Sequence, residues 1–171
     1  MAQTVEGTEG ELARRHAAAA NVVKLVGIFT LLLMLVALSG FLSGAVRFDP
    51  TTANALRLVV VFFGVGALVY RRTKFSTMRL QDIGALRGAS GLLTTLQTTT
   101  VAVSLIAAVI AILGLLISIM TGAGTDMLYF GVIAIAVLFY AYPRRAAWAA
   151  VVRAYERGEG DPVRAAKGTS A

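Results

Sequence analysis

The order of apolar and polar residues divides the chain into four long apolar blocks separated by polar segments. The blocks cover residues 22–46, 53–70, 101–120 and 127–142. About 20 apolar residues are enough to cross the hydrocarbon core of a bilayer as a helix. The second block is shortened by Arg57 and the fourth holds only 16 residues, so the first and third blocks carry the strongest signal. This pattern predicts an all-α polytopic membrane protein with four transmembrane helices.

The first block is predicted to be a retained span and not a cleaved signal peptide. Its apolar run is longer than the roughly 7–15 residues of a signal-peptide core. The leader before it is also long, and it carries the acidic residues Glu6, Glu9 and Glu11. We therefore expect residues 1–21 to form an N-terminal segment that precedes the first span.

Short polar motifs predict where several helices begin. Thr8 fits the N-cap of a capping box, Asp49 can cap the second span, and Pro50 can occupy its first helical position. Thr125 or Asp126 can cap the fourth span. Because the loops between spans one and two and between spans three and four are short, consecutive helices are expected to be antiparallel neighbours. The predicted architecture is an up-down-up-down bundle.

The positive charges fall almost entirely on one side of the four predicted spans. Of the 16 lysines and arginines, 14 lie before or early in span one, between spans two and three, or after span four; only Arg47 and Arg57 belong to the other side. Lys and Arg accumulate in cytoplasmic loops, so both termini and the middle loop are predicted to be cytoplasmic. These flanks account for the net charge of +7. The predicted partner of this basic surface is anionic lipid at the cytoplasmic face, and not nucleic acid.

An amphipathic segment follows the fourth span. Pro143 lacks a backbone N–H and favours a break in the helix there. Beyond it, four apolar residues recur at helical spacing on one face: Trp148, Val151, Val152 and Tyr155. Arg153 and Arg157 lie on the opposite face. The pattern predicts a C-terminal amphipathic helix in the membrane interface, with Trp148, Arg144 and Arg145 as anchors.

The predicted segments follow one another in a simple order. They are a cytoplasmic segment 1–21, spans 22–46 and 53–70, a basic cytoplasmic loop 71–97, spans 98–120 and 127–142, the interfacial helix 143–157, and the tail 158–171. The tail is polar and Gly-rich, so it is predicted to be disordered.

Hydroxyl residues cluster where the third span begins. Five threonines between residues 94 and 100, together with Gln97, surround the helix, whereas a pore-lining stripe would occupy one side. Deeper in the span, one face holds only small or polar residues: Gln97, Thr100, Ser104, Ala107, Ala108, Ala111, Gly114 and Ser118. Small residues let helix backbones approach closely in lipid. We therefore predict that this face packs against another helix, with a conduction path as the alternative.

A second stripe of small residues precedes the third span. Gly84, Gly88, Gly91 and Thr95 are spaced 4, 3 and 4 residues apart. If residues 76–97 are helical, span three extends beyond the bilayer and this stripe is a second packing face. The alternative is a flexible turn at "RGASG", since each interior glycine costs up to about 1 kcal/mol relative to alanine. The sequence leaves both alternatives open.

The inventory of reactive side chains predicts no catalytic, cofactor-binding or metal site. The chain has no cysteine, and its one histidine, His16, lies among alanines, where it is predicted to be a solvated helix residue. None of the nine acidic residues lies in the core of a predicted span, which argues against proton- or cation-coupled transport. Arg57 is the one charge clearly inside a span. It lies about one turn from the outer surface and is predicted to be an interfacial anchor that extends to the headgroups.

The sequence therefore predicts a non-enzymatic integral protein of a bacterial inner membrane. Of its basic residues, 13 are arginine and 3 are lysine, a bias typical of GC-rich bacterial genomes. Its small-residue faces and basic flanks favour an accessory or scaffold subunit of a membrane complex or a homo-oligomer. The alternative is an uncoupled channel or carrier for a small or lipidic solute, lined by Thr100, Ser104 and Ser118.

Overall fold

The computed structural model describes residues 2–40, 50–74 and 77–156, which form five helices without any strand. The helices are α1 (Ala2–Leu38), α2 (Pro50–Lys74), α3 (Thr77–Thr121), α4 (Gly124–Ala141) and α5 (Arg145–Glu156). Four stretches are long and apolar enough to cross a membrane: Gly7–Leu38, Thr51–Thr73, Gly88–Thr121 and Gly124–Tyr155. The described residues are thus all-α and include four helices that could span a membrane, as predicted, whereas the up-down-up-down topology and the direction of each span stay predictions.

Helix α1 begins earlier than the sequence suggests and ends at a glycine turn. It starts at Ala2, so Thr8 lies inside the helix and the predicted N-cap there is wrong. The preceding helical residues already supply carbonyl acceptors, and no cap is needed at that point. After the helix ends, Gly40 has a φ of 74°, a left-handed conformation that glycine adopts without steric cost. The rest of the predicted first span, 41–46, and the predicted cap Asp49 lie outside the described residues.

The predicted start of α2 is confirmed, whereas the predicted N-cap of α4 is wrong. Helix α2 begins at Pro50, as predicted, since the missing N–H of proline needs no partner in the first turn. Helix α4 begins at Gly124, so Thr125 and Asp126 lie within its first turn and neither is the N-cap. The Asp126 N–H already donates to the carbonyl of Ala123 at 3.1 Å. The carboxylate of Asp126 instead lies near the positive end of the helix dipole.

Helix α3 has both a helical extension before span three and an interruption within "RGASG", the two alternatives that the sequence left open. It extends over 45 residues, but Gly88 interrupts it with a φ of 65° and a ψ of −166°. Glycine is the residue that readily adopts this backbone conformation. The residues on both sides are helical. The segment before span three is therefore helical, with a break confined to Gly88.

The helices contribute to two compact units. The terminal unit contains Met1–Val22, Arg71–Val101 and Tyr142–Ala171, and the span unit contains Val23–Tyr70 and Ala102–Ala141. Helices α1, α2 and α3 contribute residues to both units, whereas α4 belongs to the span unit and α5 to the terminal unit.

The core of the terminal unit is built from α1, α3 and α5. Its buried residues are Leu12, Ala19, Leu93, Leu96, Trp148 and Val152. Helix α5 follows the break at Pro143 and turns its apolar face into this core, so that Trp148 is only 4% exposed. The sequence assigned this face to the membrane interface. The prediction that Trp148 faces the interface is wrong, because α1 and α3 cover it.

The core of the span unit surrounds α4. Its largest fully buried side chains include Val60 of α2, Ile110 and Ile117 of α3, and Met127 of α4. Helices α1 and α2 leave most of their apolar side chains outside this core; Phe62 of α2, for example, is 75% exposed. Such outward apolar surface is expected of helices that meet lipid.

Candidate functional sites

The small-residue face of α3 lies inside the span unit. Its buried members there are Ser104, Ala107, Ala111, Gly114 and Ser118. Ala108 is half-buried, and nearer the start of the span Thr100 is buried and Gln97 half-buried. On the other side of the helix, Leu105 and Ile112 are exposed. The face that the sequence singled out is thus the face that the protein covers.

Gly114 marks the closest approach of α3 to α4. A Cβ atom built on Gly114 would lie 2.7 Å from the Cβ of Phe130 and 3.4 Å from the Sδ of Met127. Two carbon atoms cannot approach to 2.7 Å without displacing one of the helices, because Phe130 Cβ is fixed to its backbone. This part of the α3 face is therefore occupied by α4, and the contact depends on the absence of a side chain.

Two glycines of α4 make similar approaches to α1. A Cβ on Gly131 would lie 2.6 Å from the Sδ and 2.7 Å from the Cγ of Met34. A Cβ on Gly124 would lie 2.7 Å from the carbonyl oxygen of Ala37. Packing and hydrogen bonds are the forces that drive helix association in lipid. Glycines therefore set the distances from α4 to both α1 and α3.

Several buried hydroxyl groups bind backbone carbonyls close to them in the chain. The donors are Thr30 to Val26 and Thr100 to Leu96, both at 2.9 Å, and Ser118 to Ala123 at 3.0 Å. Such bonds from a Ser or Thr hydroxyl to a local carbonyl satisfy the hydroxyl without any external partner. These three hydroxyls need neither water nor solute to be hydrogen-bonded.

A charged cluster joins α2 to α4. The Nη2 of Arg57 lies 2.9 and 2.8 Å from the two carboxylate oxygens of Asp126, and Nη1 donates to the Oδ1 of Asn54 at 2.8 Å. The Asp126 side chain is 11% exposed and the Arg57 side chain 41%. Thr121 Oγ1 lies 2.8 Å from Asp126 Oδ2 and 2.9 Å from the carbonyl of Ile117, and its single proton can serve either acceptor. Arg57 thus has a carboxylate partner inside the protein.

The turn between α3 and α4 places Asp126 in this cluster. Gly122 has a φ of 68°, which turns the chain between the two helices. The N–H of Ala123 donates to the Oγ1 of Thr121 at 3.3 Å, so the same threonine contacts both the turn and the carboxylate. Sequence reasoning missed the pair with Arg57. Its signal was present, since two opposite charges stand near the outer ends of two predicted spans.

A second polar network connects α1 and α3 in the terminal unit. Arg15 donates to the Oε1 of Glu11 from Nε, and its Nη2 is 2.8 Å from the same oxygen. Arg15 Nη1 also donates to Thr94 at 2.6 Å and to Gln97 at 3.5 Å, and Ser90 donates to Glu11 at 2.9 Å. The hydroxyl of Ser90 and the charge of Arg15 hold the pKa of Glu11 below its ordinary value. Thr94, at the start of span three, thus takes part in a contact between α1 and α3.

His16 is packed into the terminal unit. Its Nε2 lies 2.9 Å from the carbonyl oxygen of Pro143, and its ring meets that of Trp148 edge-on, with the centroids 5.6 Å apart. The sequence-based prediction of a solvated histidine is therefore wrong. The helix is interrupted at Pro143, so the carbonyl oxygen of this residue is available to a side chain. The imidazole of His16 lies within hydrogen-bond distance of it.

The remaining predicted site residues are distributed over both units. Arg144 and Arg145 are exposed at the start of α5. Of the second small-residue stripe, Gly84 lies in the first part of α3, Gly88 forms the break, and Gly91 is half-buried. The carbonyl of Gly91 accepts a hydrogen bond from Thr95 at 3.0 Å.

The described residues contain no group of three or more His, Cys, Asp or Glu side chains that could hold a metal ion. Comparison with protein-family models, with curated proteins and with solved structures finds no match for this chain.

Proposed function

We propose that this chain is a non-enzymatic scaffold or accessory subunit of a bacterial inner membrane, acting in a complex with other subunits or with copies of itself. The proposal rests on the observation that polar groups in the span unit are hydrogen-bonded to other groups of the protein. Arg57 and Asp126 bind each other, and Thr30 and Ser118 bind backbone carbonyls. Groups paired in this way stabilise helix packing and are not presented to a substrate.

The surface of the chain supports the same proposal. Exposed apolar side chains cover most of α2 and of the part of α1 that lies in the span unit, which gives this unit a wide area for lipid or for the helices of a partner. In the terminal unit, the exposed arginines include Arg14, Arg144, Arg145 and Arg153. Arginine binds phosphate and carboxylate groups through its planar guanidinium. With both termini in the cytoplasm, these residues would meet anionic headgroups or acidic surfaces of a partner.

Purification in a mild detergent, followed by native mass determination, tests the proposal. The native membrane source is used, and the tag is placed at the C-terminus. We expect a stable complex larger than the 18.0 kDa chain, containing either other membrane subunits or several copies of this one. A monodisperse monomer that co-purifies with no other protein would contradict the proposal.

An uncoupled channel or carrier is the second candidate function. It is favoured by the burial of Thr100, Ser104 and Ser118 on one face of α3. It is disfavoured by the hydrogen bonds of Thr100 and Ser118 to backbone carbonyls and by the close contact of Gly114 with α4. A solute-flux assay in reconstituted vesicles separates the candidates. If a pathway runs along this face, vesicles with the Ser104→Ala variant should differ in solute permeability from vesicles with the parent protein.

A further inference from the structure

Helix α2 is attached to α4 differently from the other helices of the span unit. Helices α1 and α3 meet α4 at glycines where a Cβ atom would lie within 2.7 Å of a neighbour. At the corresponding contact of α2, a Cβ on Gly64 would lie 3.5 Å from the Cγ2 of Ile133, which is ordinary van der Waals contact. The packing of α2 at Gly64 is therefore looser than the packing at Gly114, Gly124 and Gly131.

The buried face of α2 is also narrow. Its buried residues are Ala53, Val60, Gly64 and Ala67, all of them small or of medium size. Neighbouring residues such as Leu58, Phe62 and Val65 are exposed. Lipid tails are as apolar as these side chains, so no hydrophobic driving force presses α2 onto the bundle. The larger α2 side chains that pack against the core, Leu56 and Tyr70, are only partly buried.

The Arg57–Asp126 pair gives α2 a directional contact with α4 that the apolar face of α2 does not provide. It lies near the start of both helices, at 2.8 Å, and Asn54 and Thr121 hold the two charged groups in place. Removing Arg57 would leave the Asp126 carboxylate, whose side chain is only 11% exposed, without its charged partner, which is destabilising. Sliding α2 by one turn, about 5.4 Å, would separate the two charges.

We propose that the Arg57–Asp126 pair is a clasp that fixes the position and register of α2 on α4. Without the clasp, α2 separates from α4 or slides along it, while the packing of α1, α3 and α4 persists, because glycine contacts hold those helices. Fixing register is the best-attested use of buried charged groups in helical assemblies. The clasp thus joins the first turns of α2 and α4 through one charged contact whose loss can be followed experimentally.

Disulfide crosslinking tests this proposal cleanly, since the chain has no native cysteine. The reporter pair is Gly64→Cys with Ile133→Cys, which joins α2 to α4. The control pair is Gly27→Cys with Leu138→Cys, which joins α1 to α4, where a Cβ on Gly27 would lie 4.0 Å from Leu138. Each pair is oxidised in native membranes, and the remaining free thiols are counted by gel shift with a polyethylene glycol maleimide.

The two pairs are measured in the parent, Arg57→Leu and Asp126→Asn backgrounds and in the exchanged variant Arg57→Asp with Asp126→Arg. Arg72→Leu removes an exposed positive charge from the same helix and serves as the matched control. We expect either single change to lower α2–α4 crosslinking by about tenfold, while the α1–α4 crosslink is unchanged. The exchanged variant should recover most of the α2–α4 yield, and Arg72→Leu should alter neither crosslink.

Unchanged α2–α4 crosslinking in both single variants would overturn the proposal, because α2 would then be held without the pair. Equal loss of both crosslinks, without recovery in the exchanged variant, would overturn it as well. That outcome would mean that the pair stabilises the whole span unit and not α2 alone.

Discussion

At the scale of single residues, glycines have two separate roles in this chain. Gly114, Gly124 and Gly131 allow close contact with a neighbouring helix, and adding a Cβ at any of them would create a contact of 2.7 Å or less. Gly88 and Gly122 instead have positive φ, which side chains rarely tolerate. The first role limits the volume of a replacement residue, and the second limits its backbone conformation.

The break at Gly88 gives a residue-scale prediction. Replacing Gly88 with alanine should lower the free energy of unfolding of the terminal unit by about 1–3 kcal/mol, because the φ of 65° is strained for any residue with a Cβ. Gly10→Ala is the control, since Gly10 lies in the same unit with nothing within 4 Å of an added Cβ. Chemical denaturation in detergent measures both variants. Equal stability of Gly88→Ala and Gly10→Ala would contradict a required break.

The pairing of Arg57 with Asp126 shows why some residue-scale features were not predicted. The two residues are separated by 69 positions in the sequence, and each stands alone near the end of a span. A single charge at a span end is often only an anchor, so neither residue by itself indicated a partner. His16 was missed for a related reason, because its contacts with Pro143 and Trp148 join segments distant in sequence. Contacts of this kind follow from the tertiary arrangement.

At the scale of helices, apolar periodicity located the elements well. The four apolar blocks correspond to four helices that are long and apolar enough to span a membrane, and Pro50 and Pro143 mark a helix start and a break between helices. Periodicity also identified which residues of α5 share a face. It could not identify what covers that face, because lipid and a protein core select the same apolar residues.

The burial of α5 gives a prediction at this scale, and Trp148 reports on it directly because it is the only tryptophan. We expect its fluorescence to be poorly quenched both by aqueous iodide and by brominated lipids, since it is 4% exposed and covered by α1 and α3. The variant Leu12→Ala should increase the quenching, because it opens a cavity in the same core. Strong quenching of the parent protein by brominated lipid would place Trp148 in the membrane interface instead.

At the scale of the whole molecule, the distribution of charge predicts the topology. With 14 of 16 basic residues on one side of the spans, reporter fusions after residue 20, near residue 76 and at the C-terminus should all read as cytoplasmic. A fusion in the loop that contains Arg47 should read as external. An external signal near residue 76 would show that the first two spans do not form a hairpin.

If the small-residue face of α3 is a packing surface and not a pathway, a larger residue at its glycine should cost more stability than the loss of its serine hydroxyl. The most direct test is the free energy of unfolding in detergent of three alanine variants. Gly114→Ala should lose about 1–3 kcal/mol by overpacking against Phe130, and Ser104→Ala about 0.6 kcal/mol or less. Gly66→Ala, on the outer side of α2 with nothing within 4 Å, should lose nothing. If Gly114→Ala is as stable as Gly66→Ala, and Ser104→Ala alters solute flux, the face lines a cavity and the packing account is contradicted.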